Sequence, residues 1–266
     1  MTEQTTPLPR DVLHALTALA ARPSVLLGVD YDGTLAPLVT NPMAAVAAPG
    51  GLEALRAAVA LDGVHVAVVS GRDLATLRQL TGIAEDEPIV LVGSHGAQTS
   101  RGGDTELLDE TQARTLERLT AGLEGIVARH DGPRVERKPA SVVLHTRDVE
   151  ASAARESTAA AQRLAADHDG VHVTPGKEVV ELSVVDATKG AALRSLAEAL
   201  RVGATAYFGD DVTDERAFAA LDPSRGDVCV KVGPGDTLAA HRLADIPGVV
   251  AALQTFVSLR AAAGPA

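Results

Sequence analysis

The chain has 266 residues, enough for one large domain or for a core carrying a smaller one, and its 46% hydrophobic content supplies an ordinary buried interior. A net charge of −11, with 2% aromatic residues and no Trp, argues against a base-stacking nucleic-acid surface and against binding to anionic membranes. The single cysteine excludes an intrachain disulfide and a cysteine-rich metal site.

No apolar run approaches the length of a membrane span, and Met1–Arg10 lacks the charged-then-apolar order of a signal peptide. A cytoplasmic protein is the expectation, with Thr5-Thr6-Pro7-Leu8-Pro9 as a loose leader.

In chain order, helical periodicity over Asp11–Ala21 precedes an apolar run, Val25–Val29, that ends on Asp30. A helix over Gly51–Leu61 leads to the run Val64–Val69, which ends on Ser70. Asp73 is placed to cap a helix over Leu74–Leu80, and Ile89–Val92 follows as another strand. Beyond Arg101-Gly102-Gly103 the character changes. Asp109–His130 is helical, Arg134–Arg147 extended, Glu150–His168 helical and Val171–Val185 extended again, with polar and apolar residues alternating, as in Ser141-Val142-Val143-Leu144-His145. The first pattern then returns: helix Lys189–Leu200, strand Thr205–Phe208, helix Asp214–Leu221 and strand Val228–Val232. Cys229 lies inside that last run and reads as a packing residue.

This order predicts an α/β fold: a Rossmann-like parallel sheet with helices on both faces, plus an inserted α+β cap domain. The expected boundaries are 1–104 and 183–266 for the core and 105–182 for the cap.

Ligands of open parallel sheets bind beyond the carboxyl ends of the strands. Asp30 and Asp32, Ser70, and Asp210 and Asp211 all follow strands there, and Lys189 opens the helix before the last pair. Each alone reads equally well as a turn residue; four segments delivering carboxylates, a hydroxyl and an ammonium to one edge do not. Crowded carboxylates repel unless a cation joins them, and oxygen ligands suit Mg²⁺. A lysine at a helix start opposes the helix dipole, which points Lys189 to another task.

Asp30-Tyr31-Asp32-Gly33-Thr34-Leu35, then Ser70, Lys189 and Gly209-Asp210-Asp211-x-Thr213-Asp214, resemble the four motifs of the haloacid dehalogenase superfamily across nearly the whole chain. Within it, Ser70-Gly71-Arg72, Gly93-Ser94-His95-Gly96, Glu136-Arg137-Lys138 with Ser141, His145 and Arg147, and Gly176-Lys177 with Glu181 resemble the trehalose-6-phosphate phosphatase family. The resemblance implies Asp30 as nucleophile, Asp32 as acid and base, and Ser70 and Lys189 as phosphate-stabilising groups. Thr34 is a further candidate for phosphate contact. It also implies Mg²⁺ held by Asp30, Asp32 through its carbonyl, Asp210 and Asp211, with Asp214 holding metal-bound water or orienting Lys189.

Substrate binding is assigned by the same resemblance to Arg72, His95, Glu136, Lys138, Ser141, Arg147, Lys177 and Glu181. A solvated sheet face is the alternative for the residues of the insert. Gln98 stands where the family carries Glu, which leaves a sugar contact open. The implied activity is hydrolysis of trehalose 6-phosphate, with functional coupling to a trehalose-6-phosphate synthase. The alternatives are a phosphatase for sucrose phosphate or mannosyl-3-phosphoglycerate, and a non-catalytic sugar-phosphate sensor. Gly102-Gly103 and Val184–Thr188 are the expected hinges of a closing cap.

Overall fold

The computed structural model describes residues 7–101 and 108–263. The leader residues Thr5 and Thr6, the hinge expected at Gly102-Gly103 and the boundary expected at 104/105 lie outside the described residues. The elements of the first segment are α1 (Arg10–Ala20), β1 (Val25–Asp30), α2 (Gly51–Val59), β2 (Val64–Val69), α3 (Leu74–Thr81), β3 (Ile89–Gly93) and β4 (Gln98–Thr99). Next come α4 (Glu110–Val127), β5 (Arg134–Arg137), β6 (Ser141–His145), α5 (Ala151–Ala166), β7 (His172–Gly176) and β8 (Val179–Ser183). The last segment holds α6 (Lys189–Leu200), β9 (Ala204–Gly209), α7 (Val212–Phe218), β10 (Val228–Val232), β11 (His241–Leu243) and α8 (Ile246–Ala263). Two compact units divide the chain, Met1–Arg101 with Ala187–Ala266, and Gly102–Asp186.

In the first unit the strand order is β11-β10-β9-β1-β2-β3-β4. Every pair is parallel except β3 with β4, a two-residue strand that turns back along the edge. The central strands are apolar without interruption because both faces are covered. Val25, Leu27 and Val29 join the cluster built with α1, α2, α3 and α8, whereas Leu26 joins Leu193 of α6 and Phe218 of α7 on the other side. Cys229 packs in the second cluster, and burial pushes its thiol up to about 12.

Helix α8 is apolar around much of its circumference, so no single face marks it in the sequence. By length and composition it is a helix that could cross a membrane, which corrects the expectation that no apolar run reaches that size. Here Val249, Ala252, Leu253 and Phe256 pack into the core. Arg260 near its end is buried and donates to the main-chain carbonyls of Ala20, Arg22, Pro23 and Asp62, tying down the turns that precede β1 and β2.

The second unit is an antiparallel sheet in the order β5-β6-β8-β7. Val142, Leu144, Val180 and Leu182 pack on Leu119, Leu123 and Ile126 of α4 and Ala161 and Ala165 of α5. The registers Glu136↔Val143 and Val143↔Glu181 put Glu136, Ser141, His145 and Glu181 on the opposite face. This unit runs past residue 182 because β8 extends to Ser183 and Val184 is buried in its apolar cluster. Thr188 caps α6 by accepting the N–H of Ala191 at 3.0 Å. Between them, Val185 exchanges hydrogen bonds with the Ser183 hydroxyl and Asp186 lies 3.7 Å from His172.

Candidate active site

Strand β1 lies between β2 and β9, where the chain order of the sheet reverses, and such a switch point opens a crevice at the carboxyl ends of the strands. Asp30 ends β1 in that crevice. Tyr31 turns into the core, where its hydroxyl donates to the carbonyl of Ala45 at 2.7 Å. The chain then folds sharply: Leu35 and Ala36 both donate to the carbonyl of Tyr31, and Gly33 donates to that of Ala36. Gly33 has φ +86°, and a Cβ there would collide with the Asp210 carboxylate, so only glycine fits.

Asp30 is 3% exposed and Lys189 is 2% exposed. The Lys189 Nζ donates to Asp30 Oδ1 at 2.6 Å and to Asp214 Oδ1 at 2.8 Å, which accounts for a cation at the start of α6. Burial alone would discharge Lys189, but Asp30, Asp214 and Asp211 hold its ammonium above the ordinary range. Burial, opposed by Lys189 and aided by Asp214, pushes the Asp30 carboxyl well above its usual value.

Asp30, Asp210 and Asp214 offer oxygens that all lie within 4.8 Å of one another. One ammonium cannot balance three carboxylates, and an oxygen-only set with surplus negative charge fits a hard divalent cation. Burial, then Asp214 and Asp211, push Asp210 up to about 6.

Hydrogen bonds separate the members of this cluster. Asp214 Oδ1 accepts from Lys189 and from the Tyr207 hydroxyl at 2.6 Å, and its Oδ2 accepts the N–H groups of Asp210 and Asp211. Four donors fill that carboxylate. Asp211 Oδ1 accepts the N–H groups of Thr213 and Asp214, capping α7, and Asp211 is not in the cluster. Asp30 Oδ2 accepts no hydrogen bond among the described residues. Among the described residues the Asp210 carboxylate receives only a 3.4 Å contact from Thr34. Thr34, expected toward phosphate, is thus turned to Asp210.

Asp32 is gripped by a two-pronged fork from Arg72, Nε to Oδ2 at 2.7 Å and Nη2 to Oδ1 at 2.6 Å. Arg72, expected to bind substrate, is therefore engaged with Asp32. The buried Ser70 accepts the Arg72 N–H at 3.1 Å through its hydroxyl oxygen, leaving the hydroxyl proton to be donated. Ser94 donates to the carbonyl of Arg72 and His95 to that of Ser70, stitching the two loops together. His95 has φ +55°, and its imidazole lies where a Cβ on Gly71 would fall. The Gln98 carboxamide oxygen accepts from the Leu74 N–H at 3.0 Å and the Ser94 hydroxyl at 2.9 Å. Its place is structural. Asp73 caps α3 through Thr76.

In the second unit Glu181 accepts from Lys138 at 3.1 Å and from Ser141 at 2.6 Å, a half-buried polar trio on the sheet face away from the helices. Glu136 pairs with His145 at 2.7 Å. Arg147 lies beyond the end of β6 beside Glu178, and Lys177 is exposed in the turn between β7 and β8. These two are turn residues, which corrects the expectation that they sit on strands.

Sequence reading passed over Lys231 and Tyr207. Both are buried within apolar strands, and neither belongs to a motif. The only signal is for Lys231, a charge at an otherwise apolar strand position.

Asp30 at the end of a switch-point strand, answered by a buried lysine and an acidic loop on separate segments, makes this chain an α/β protein with an acidic site at the carboxyl ends of its parallel strands. Within that class it belongs to the trehalose-phosphatase family, whose model matches residues 28–245. Trehalose-6-phosphate phosphatase of Escherichia coli is 32% identical over 223 residues, 83% of this chain and 82% of that protein. Trehalose-phosphate phosphatase of Mycobacterium tuberculosis is 35% identical over 145 residues, 52% of this chain; the matched stretch is 35% of that protein's length. The structure of Aspergillus fumigatus trehalose-6-phosphate phosphatase superposes with a TM-score of 0.71 at 25% identity, covering 96% of this chain and 99% of that one.

Proposed function

We propose that the chain hydrolyses trehalose 6-phosphate to trehalose and phosphate through a covalent aspartyl-phosphate on Asp30. The observation that carries this reading is Asp30 itself: buried at a strand end, one oxygen held by Lys189 at 2.6 Å and the other open.

An oxygen of Asp30 attacks phosphorus, the bond from phosphorus to the sugar 6-oxygen breaks, and Asp32 delivers a proton to that leaving oxygen. Water then attacks the aspartyl-phosphate while Asp32 takes its proton, which releases phosphate and restores Asp30. Arg72 keeps Asp32 in place until the anionic substrate competes for its guanidinium. Lys189 has three donors, of which Asp30 and Asp214 occupy two, so one is left for a phosphoryl oxygen. The Ser70 hydroxyl proton serves another. Asp30, Asp210 and the main-chain carbonyl of Asp32 would hold Mg²⁺, which supplies charge that offsets repulsion between carboxylate and phosphate.

Glu136, Lys138, Ser141 and Glu181, with Arg147 and Lys177 at the turns and His95 in the first unit, are proposed to read the sugar hydroxyls. Polar groups left unpaired by a wrong ligand reject it strongly. The segment at Asp186-Ala187 is the proposed hinge; identical scattering profiles with and without substrate would remove it. Coupling to a trehalose-6-phosphate synthase and a cytoplasmic location belong to the same reading.

The test is phosphate release from trehalose 6-phosphate, sucrose phosphate and mannosyl-3-phosphoglycerate, each with Mg²⁺ and with chelator. Preference for the first, lost with chelator, is expected; equal turnover of all three refutes the narrow substrate. Asp30→Asn, still able to accept from Lys189, is expected to fold and release no phosphate. Turnover by that variant would rule out the covalent route.

A further inference from the structure

Lys231 is a buried charge that the chemistry above leaves without a role. It is the fourth residue of β10, a strand whose five residues are all buried, and it is 4% exposed. Its Nζ donates to the main-chain carbonyls of Asp210 and Val232, the latter at 3.1 Å; neither partner is a carboxylate. An ammonium buried against neutral partners is costly, and an aliphatic side chain would suit a central strand better. Its location supplies the reason. Lys231 lies in register with Gly209 on the adjacent β9, so its side chain reaches the loop that carries Asp210 and Asp211. The acidic loop gains a positive charge, and the Asp210 main chain gains a fixed donor.

We propose that Lys231 is a positioning residue: by donating to the Asp210 main-chain carbonyl it keeps the Asp210 carboxylate facing Asp30, and so sets the affinity of that pair for a divalent cation. This rests on the reading of the acidic cluster given above, but not on the identity of the sugar. The sign of the effect separates it from simple electrostatics. Removing a positive charge beside a cation site favours the cation by Coulomb's law, whereas losing the anchor of a ligand loop disfavours it.

The experiment is a calorimetric Mg²⁺ titration of the full chain without substrate, with thermal midpoints measured in parallel with and without Mg²⁺. In Lys231→Met the Mg²⁺ dissociation constant is expected to rise about tenfold or more, the usual scale for losing support behind a metal ligand. Lys231→Arg, which keeps donors and charge, is expected to lose less. Should the Met variant fail to fold, Lys231→Gln carries the comparison, since it is neutral and its donor falls short of the carbonyl. Mg²⁺ binding by the neutral variant as tight as or tighter than wild type overturns the proposal, as does a wild type that binds no Mg²⁺. A wild type that binds Mg²⁺ and shows the expected ordering, yet leaves trehalose 6-phosphate intact, supports the proposal and refutes only the substrate reading.

Discussion

Asp30 stands among more negative charge than Lys189 can balance, and the consequence is measurable. Asp210 is held at about 6 and Asp30 is also raised, so the folded chain without metal takes up protons that the unfolded chain does not. For a carboxyl with a raised folded value, the stabilising contribution is present below its ordinary value and lost as pH rises through the raised one. Between pH 5 and pH 7.5 these groups therefore weaken the fold, while a Mg²⁺ ion held as proposed would gain ionised ligands. The rise in thermal midpoint produced by Mg²⁺ is expected to be larger at pH 7.5 than at pH 5. His65, whose value burial lowers, works in the opposite direction but cancels between the two measurements at each pH. A rise independent of pH would show that the cation binds elsewhere.

Helix termini and the last helix govern stability at the next scale up. Asp211 caps α7 through two N–H groups and pairs reciprocally with Asp214. Asp211→Ala is expected to lower stability by about 1 kcal/mol, the ordinary cost of a lost cap, as read by denaturant unfolding. Arg260 supports four carbonyls in turns far from the crevice. Arg260→Met leaves buried acceptors unsatisfied and is expected to cost on the order of 3 kcal/mol, with KM unchanged in the fraction that remains folded. A substantial change in KM would mean that α8 reaches the site through the core. Asp30 and Asp210 were legible in the sequence because each stands at the end of an apolar strand or just after it. The direction of Arg260 was not, since its acceptors are drawn from segments that precede it by roughly two hundred positions or more.

Taken whole, and under the proposed function, phosphate chemistry falls to one unit and sugar selectivity to the other. Glu181→Gln keeps the size of the side chain but disturbs the trio with Lys138 and Ser141. It is expected to raise KM for trehalose 6-phosphate about tenfold, the scale of one charge-assisted contact. Turnover of p-nitrophenyl phosphate, which carries no sugar, should change little. An equal loss on both substrates would place Glu181 in the fold rather than in recognition.

The order of strands and helices and the residues at the strand ends follow from local pattern, since burial on both faces demands continuous apolar runs and the crevice demands polar residues just after them. The sequence by itself therefore determined the α/β core, the antiparallel insert and, of the carboxylates that meet, the placing of Asp30 and Asp210 at strand ends. Only the tertiary structure decided which of those carboxylates keep an oxygen open. Asp214 is filled by Lys189, Tyr207 and two main-chain donors, Asp211 is turned to a helix cap, and Asp32 is held by Arg72. Hydrogen-bond donors have to converge from separate strands before that division exists, and no spacing within one motif records it.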